Sequence, residues 1–122
     1  MKRILITGSR DWDDYLAVYA ALDSVAKSWK TEEITVVHGG AKGADTIAGT
    51  WTNLRGFQEE IHPADWDKHG RKAGFVRNAE MVDLGADICV AFIKNGSKGA
   101  TMTAELSEKA GIPTAYVTFD ES

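Results

Sequence analysis

The sequence has few of the residues that cross-link or interrupt a chain. It contains one cysteine and two prolines in 122 residues. A single cysteine forms no internal disulfide and offers no thiol pair to a metal. Because Cys89 lies in the apolar run from Ile88 to Phe92, we expect it to be a buried structural residue. With 43% hydrophobic residues, this composition is typical of a globular protein.

Long apolar runs and an excess of positive charge are also lacking. No run approaches the roughly 20 residues of a transmembrane helix. The basic and then apolar stretch from Met1 to Ile6 is too short for a signal peptide. A net charge of −4 disfavours a surface built for nucleic-acid backbones. We therefore expect a cytoplasmic protein with no membrane partner and no nucleic-acid partner.

Motifs for metal binding and nucleophilic catalysis are missing as well. His38, His62 and His69 fall in neither a His-x-x-x-His nor a His-Glu-x-x-His spacing, and no serine occupies a nucleophile elbow. We therefore predict no metal site, no catalytic triad and no cofactor.

Apolar residues are distributed in two alternating patterns. Short apolar runs predict buried strands, and spacings of three and four residues predict helices. The strands are expected from Arg3 to Thr7, Ile34 to Val37, Phe57 to His62 (an edge strand, because it is polar), Asp87 to Ile93 and Thr114 to Phe119. The helices are expected from Asp13 to Trp29, Ala44 to Leu54, Phe75 to Leu84 and Thr101 to Ala110. An irregular connection, of a length that often carries function, is expected from Pro63 to Gly74.

Five strands alternating with four helices predict an α/β fold. The expected architecture is a three-layer sandwich with a right-handed, mostly parallel sheet, formed by a single domain over residues 1–122. In such sheets the ligand crevice lies at the carboxyl ends of the strands. The loops that follow the strands are therefore the place to look for a site.

Glycine-bearing loops follow three of the predicted strands. The richest, here called the central glycine loop, is His38-Gly-Gly-Ala-Lys-Gly-Ala-Asp45. The others are Thr7 to Asp11 and Asn95 to Thr101. Glycine permits close backbone approach, and the first N–H groups of a helix bind anions. Together with the loop after the third strand, these segments predict a phosphate-binding crevice, although the central glycine loop is neither a Walker loop nor a dinucleotide fingerprint.

Several residues in this crevice have two interpretations. Lys42 could hold a phosphate, and Asp45 could accept a ribose hydroxyl or cap a helix, or the loop could serve only close helix–sheet packing. Arg10 and Asp11 could hold a ligand or each other. Either Trp12 or Trp66 could stack on a base or cover the core. Arg77 could donate to a phosphate or lie on a solvated helix face.

The expected ligand-binding residues are Gly8, Ser9, Arg10, Asp11, His38, Gly39, Gly40, Ala41, Lys42, Gly43, Asp45, Asp65, Trp66, Arg77, Asn78, Gly96, Ser97, Lys98, Gly99, Ala100 and Thr101.

These motifs resemble those of the small YspA-type proteins of the SLOG superfamily. The matching phrases are Thr7 to Trp12, the central glycine loop, His62 to Trp66, Ala73 to Met81, Ser97 to Gly99 and Ala110 to Pro113. The resemblance covers essentially the whole chain. It implies a Rossmann-like fold with strand order 3-2-1-4-5 and binding of a nucleotide or nucleotide-derived ligand. Members often pair through helices, so a homo-oligomer is also an expectation.

Catalysis is the point at which the sequence departs from the related phosphoribohydrolases. That branch pairs an Arg-x-x-x-Met arginine, which Arg77 fits, with a glutamate after a Gly-Gly-x-Gly-Thr loop. Here Ala100 replaces the threonine and Thr103 stands about where the glutamate would be. The remaining catalytic candidates are Arg77 and four carboxyl groups considered in place of the missing glutamate: Asp45, Asp65, Glu80 and Glu105.

Three functions follow from the resemblance, in this order. The first is a nucleotide-binding sensor or sequestering domain, with phosphate held by backbone N–H groups of Gly39 to Gly43 and Lys98 to Thr101, assisted by Arg10 and Arg77. The second is a hydrolase that cleaves the base–ribose bond of a nucleoside monophosphate or a related derivative, a reaction that needs a carboxylate. The third, disfavoured by the acidic charge, is a DprA-like nucleic-acid-binding protein.

Overall fold

The computed structural model, which describes residues 1–31 and 33–120, is organised around a five-stranded sheet. Every neighbouring pair of strands is parallel, and the order is β3-β2-β1-β4-β5. This confirms the predicted fold class, the strand order and the edge position of the third strand. The strands are β1 (Lys2–Gly8), β2 (Ile34–His38), β3 (Gln58–Ile61), β4 (Ile88–Lys94) and β5 (Thr114–Phe119).

Helices flank the sheet on both faces. They are α1 (Tyr15–Trp29), α2 (Ala44–Leu54), α3 (Trp66–His69), α4 (Ala73–Leu84) and α5 (Lys98–Lys109), with a 3-10 turn at Gly70–Lys72. The four long helices match the prediction, although α5 begins three residues earlier than expected. Among the described residues, no helix combines the length and apolarity needed to cross a bilayer.

The irregular connection expected from Pro63 to Gly74 is wrong. The segment contains α3 and the 3-10 turn, and α4 has already begun at Ala73. The cause is local capping: the Asp65 side chain accepts a hydrogen bond from the backbone N–H of Lys68 at 3.0 Å and starts a helical turn. Gly70, with φ of +58°, ends that turn. These short elements bury little apolar surface, so their polar sequence contains no apolar periodicity from which they could be predicted.

Two apolar layers cover the two faces of the sheet. Alternation along β1 sends Ile4 and Ile6 toward α1 and α2, where Leu22 and Trp51 complete the core. Leu5 points to the opposite face, which is covered by α4 and α5. The largest side chains of these layers are fully buried, and burying each stabilises the fold by roughly 2 kcal/mol.

Cys89 lies in the second of these layers, as the sequence predicted. Its side chain is fully buried, and burial raises the pKa of the thiol to about 11. A thiol with so high a pKa stays protonated and unreactive at neutral pH.

Polar contacts hold side chains of the edge strand β3 on both of its faces. Glu60 accepts two hydrogen bonds from Arg3, at 3.0 and 2.9 Å, and lies 2.7 Å from Nε2 of His62. The hydrogen bonds from Arg3, followed by the one from His62, lower the pKa of Glu60 to about 2. On the other face of the strand, Glu59 lies 2.7 Å from Nε2 of His38. The polar sequence of β3 therefore reflects specific partners on both faces.

Candidate functional site

A cleft with two lobes lies at the carboxyl ends of the central strands. The first lobe has a volume of about 610 Å³ and lies among the loops after β1, β2 and β4 and the start of α4. It is lined by Ile6, Thr7, Gly8, Arg10, Asp11, Ala41, Asp45, Trp66, Arg71, Gly74, Phe75, Arg77, Asn78, Lys94, Asn95, Ser97, Gly99 and Ala100. The second lobe, of about 620 Å³, lies between the central glycine loop and the loop after β3; its lining residues are Arg10, Gly39, Gly40, Ala41, Lys42, Pro63, Ala64, Trp66 and Arg77.

The central glycine loop uses its own amide groups to hold its shape. The N–H groups of Gly39 and Ala41 donate to Oδ2 of Asp45, at 3.1 and 3.3 Å. The N–H group of Gly40 donates to Nδ1 of His38 at 2.9 Å. These three donors are therefore engaged within the loop. A phosphate bound at these amides would have to replace the hydrogen bonds that they make within the loop.

Asp45 is the acidic residue at the bottom of this loop. Its side chain lines the first lobe and the residue is only 6% exposed. Burial raises the pKa of this carboxyl group, against the opposing effects of His38, the Ala41 amide and Arg77. Oδ2 accepts the two loop hydrogen bonds, whereas Oδ1 has no hydrogen-bond partner among the described residues. Such a buried oxygen without a partner is uncommon in folded proteins, and here it belongs to a residue that lines the cleft.

His38 supports the loop from behind. Because Nδ1 accepts from the Gly40 amide, the ring proton is assigned to Nε2, which donates to Glu59. Gly49 of α2 leaves space for this pair, since a Cβ there would lie 2.4 Å from Oε2 of Glu59. His38 lines neither lobe. Its role in this structure is to position the loop.

Three of the glycines permit close packing of the loops. A Cβ on Gly8 would lie 2.3 Å from Cβ of Ala44, and one on Gly43, whose φ is +82°, would lie 2.3 Å from the carbonyl oxygen of Ser9. A Cβ on Gly39 would lie 2.1 Å from Nη1 of Arg77. The close-packing interpretation of these glycines is therefore supported.

Gly99 is different from those three. It is the second residue of α5, and no atom lies within 4 Å of the position that its Cβ would take. Glycine inside a helix costs about 1 kcal/mol relative to alanine. Packing does not require a glycine here, but close approach of a ligand to the backbone in the first lobe would.

The start of α5 is a second group of polar atoms in the first lobe. Its N-cap residue, Ser97, makes no side-chain capping hydrogen bond, and the first amides of a helix have no acceptor within the helix. Ser97, Gly99 and Ala100 line the lobe, whereas Gly96, Lys98 and Thr101 do not. Position 103, where a catalytic glutamate was sought, holds a buried threonine whose hydroxyl donates to the Gly99 carbonyl at 3.0 Å.

Arg77 ties the ends of two strands together. Its Nη1 donates to the carbonyl oxygens of Gly39 at 2.7 Å and His62 at 3.3 Å, and its Nε donates to Asn78 at 2.6 Å. Burial lowers the pKa of this guanidinium, while nearby Asp45 raises it and Arg10 lowers it. The solvated-face interpretation of Arg77 is wrong. The residue is a buried clamp, and only Nη2 makes no hydrogen bond to another described residue.

Arg10 converges on the same place from the loop after β1. The Nη2 atoms of Arg10 and Arg77 lie 4.0 and 3.7 Å from the position that a Cβ would take on Gly74. In the described part of the chain, no carboxylate forms an ion pair with either guanidinium. Arg10 also lies over the indole ring of Trp66, 5.6 Å from its centroid. Two guanidinium groups that face one point, with no ion-paired carboxylate among the described residues, have the chemistry that anion binding requires.

The remaining expected residues are divided between cleft and scaffold. Ser9 links the ends of β1 and β4, because its hydroxyl accepts a hydrogen bond from the Lys94 amide at 2.8 Å. Trp12 is a core residue that packs 5.5 Å from the ring of Phe92, whereas Trp66 is half exposed at the edge of both lobes. Asp11 and Asn78 line the first lobe, and Lys42 lines the second.

Three of the candidate catalytic carboxyl groups lie away from the cleft. Asp65 caps α3 and Glu80 is exposed on α4; both border a separate cavity of about 170 Å³. Glu105 is exposed on α5 beside Tyr116. None of the three lines either lobe.

Over residues 1–31 and 33–120, no group of three metal-ligating side chains is positioned to hold a metal ion.

Seven lining residues of the first lobe are absent from the list of expected ligand-binding residues, although some lie in the predicted crevice segments: Ile6, Thr7, Arg71, Gly74, Phe75, Lys94 and Asn95. Their position was a usable signal for two of them, since Lys94 ends a central strand and Asn95 follows it. Lys94 is held by Asp11, whose carbonyl oxygen accepts from Nζ at 3.4 Å. With Arg71 and Lys94 beside the two convergent arginines, the lobe is locally basic on a chain of net charge −4.

A parallel sheet in the order 3-2-1-4-5, with a polar cleft at its carboxyl ends, defines a Rossmann-like α/β protein. The model of the YspA, cpYpsA-related SLOG family (YAcAr) matches residues 2–69. The chain belongs to this family, which confirms the resemblance found in its motifs. It is also similar to the Gene 61 protein of Mycobacterium phage D29, with 48% identity over 119 residues that cover 93% of this chain and 94% of the phage protein. No solved structure matches the chain significantly.

Proposed function

We propose that this protein binds a nucleotide or nucleotide-derived ligand and holds its phosphate between Arg10 and Arg77, as a sensor or sequestering domain. The observation that carries the proposal is the convergence of both Nη2 atoms on the space above Gly74, with no carboxylate paired to either guanidinium in the described residues. Guanidinium groups match phosphate oxygens in geometry and charge. A phosphate here would supply the counterion that the chain does not.

Other features of the first lobe support the same ligand class. The uncapped start of α5 adds amide donors and the positive end of a helix dipole. The exposed part of the Trp66 ring offers a surface on which a base could stack. The orphan Oδ1 of Asp45 would accept a hydrogen bond from a sugar hydroxyl. Phosphate, ribose and base each have a complementary group in the cleft.

A second candidate function is hydrolysis of the base–ribose bond. The observation that favours it is Asp45, whose burial raises the pKa of a carboxyl group that lines the cleft, because perturbed carboxyl groups in clefts are frequent acid–base catalysts. Its Oδ2 already accepts two loop hydrogen bonds, which favours a structural role. Binding without turnover therefore remains the first proposal.

The proposal is tested by calorimetric titration with the common nucleoside monophosphates. Arg10→Ala should weaken binding at least about tenfold, because it removes a charge-assisted contact worth about 1.5–3 kcal/mol. Arg10 is exposed, so the fold should be unaffected. Arg55→Ala is the matched control, since it removes an exposed arginine beside Asp23, outside the cleft. Equal affinities for Arg10→Ala and the parent protein would contradict the proposal.

A further inference from the structure

Two of the cationic side chains of the cleft lie where its two lobes meet. Arg10 and Arg77 line both lobes, together with Ala41 and Trp66. Gly74, above which the Nη2 atoms of the two arginines converge, lines the first lobe, so an anion held there lies in that lobe and borders the second through the shared arginines. A terminal phosphate would be expected at a closed end of a cleft, where only one side is open.

The two lobes have different chemistry. The first contains Asp11 and the orphan Oδ1 of Asp45, which suit a hydroxyl-bearing group. The second is lined by Pro63, Ala64, Lys42 and backbone of the central glycine loop, with no acidic side chain among its described lining residues. Two unlike surfaces on either side of one anion site suit two unlike arms of one molecule.

The size of the second lobe supports this division. Its volume of about 620 Å³ equals that of the first lobe within a few per cent, at about 610 Å³. Either volume lies within the range of roughly 300–1,000 Å³ found for sites of drug-sized ligands. A nucleoside monophosphate with its phosphate at the junction would fill one lobe and leave the other to water.

We propose that the ligand carries its phosphate internally, as a phosphodiester or diphosphate with one arm in each lobe. The arm in the first lobe bears hydroxyl groups. The arm in the second lobe is a neutral, flat group that packs against Trp66 and Pro63. This inference rests on the proposed function, because it takes the site between Arg10 and Arg77 to be the phosphate site, and it adds the class of ligand.

The first experiment compares two kinds of probe on the parent protein by calorimetry. Adenosine and guanosine monophosphates place the phosphate at one end, and the symmetrical diadenosine and diguanosine diphosphates place it between two arms. We expect the two-armed probes to bind at least about tenfold more tightly, which corresponds to about 1.4 kcal/mol. Equal affinities would overturn this inference and leave the proposed function standing. Failure of both kinds of probe to bind would overturn both.

The second experiment fills the second lobe. Ala64→Trp should remove the advantage of the two-armed probes and leave the affinity for the monophosphates unchanged. Ala110→Trp is the control, because it adds the same ring at an exposed position after α5, at the opposite end of the sheet. Equal weakening of both kinds of probe by Ala64→Trp, in a protein with an unchanged unfolding curve, would also overturn the inference. The comparison on the parent protein decides the matter even if this variant does not fold.

Discussion

Nη1 of Arg77 donates a hydrogen bond to the carbonyl oxygen of Gly39 at 2.7 Å, and the guanidinium fills the space that a side chain at position 39 would need. The glycine and the arginine are thus two halves of one contact, separated by 38 residues in the chain. This contact fixes the central glycine loop against α4. It also keeps Nη2 of the arginine at the junction of the two lobes.

Gly39→Ala should therefore destabilise the protein. The added Cβ would lie 2.1 Å from Nη1, so the arginine must move and lose its bonds to the two strand ends. Overpacking of this kind costs about 1–3 kcal/mol. Urea unfolding followed by circular dichroism measures the loss. A variant as stable as the parent would show that the guanidinium is free to move and is not a clamp.

Gly99→Ala should have opposite effects on stability and binding. Alanine is the better helix former, and its methyl group would meet no atom within 4 Å, so the free energy of unfolding should rise by up to about 1 kcal/mol. Because Gly99 lines the first lobe, the substitution should also weaken binding of nucleoside phosphates. Unfolding curves and calorimetric titrations on one preparation test both effects. Unchanged binding would place the ligand away from the start of α5.

Two tryptophans that the sequence could not distinguish should respond differently to substitution. Trp12 is 4% exposed and packs against Phe92, so Trp12→Ala should cost about 3–5 kcal/mol of stability. Trp66 is 50% exposed, so Trp66→Ala should cost about 1 kcal/mol or less. Quenching of tryptophan fluorescence by a nucleoside phosphate should disappear only in the Trp66 variant. Quenching that survives in that variant would exclude stacking on this ring.

The ion pairs of β3 predict sensitivity to acid. The pKa of Glu60 falls from 4.5 to about 2 on folding, so its contribution to stability is complete above the unfolded pKa and is lost as the pH falls through that interval. Because the pair is partly exposed, solvent screening limits this contribution to about 1 kcal/mol. Glu60→Gln should therefore flatten the decrease in the urea midpoint between about pH 5 and about pH 2. An equally steep decrease in parent and variant would assign the acid sensitivity to other groups.

Incubation with nucleoside monophosphates should release no free base, as expected of a binding protein. Chromatography of the reaction mixture measures this directly. Release that Asp45→Asn abolishes would favour the hydrolase instead. Glu80→Gln and Glu105→Gln are the matched controls, since each removes a carboxylate outside the cleft.

The fold was predictable because its signals are local. Short apolar runs and helical spacing depend on neighbouring residues, and the third strand was recognised as an edge because Glu59 and Glu60 are polar. The segment after Pro63 was mispredicted because α3 depends on one capping carboxylate, Asp65, rather than on apolar periodicity.

The position of the cleft was predictable from the sequence, but the contacts that its residues make were less so. The carboxyl edge of the sheet follows from topology, and Arg10 and Trp66 were both expected there. Which donors are engaged depends on contacts between distant segments: Asp45 occupies two amides of the central glycine loop, and Arg77 binds the ends of two strands. The sequence does not distinguish Gly39, which is closely packed against Arg77, from Gly99, which has open space at its Cβ position.

Ser9 has a consequence for the folding pathway. Its carbonyl oxygen accepts from the amides of Trp12 and Ala44, and its hydroxyl accepts from the amide of Lys94, which lies 85 residues away. These bonds form together only after β1, α2 and β4 have docked, so closing them carries the entropy cost of long loops. We expect these contacts to form after the rate-limiting barrier, so Ser9→Ala should accelerate unfolding and leave the refolding rate nearly unchanged when both are followed by stopped-flow fluorescence.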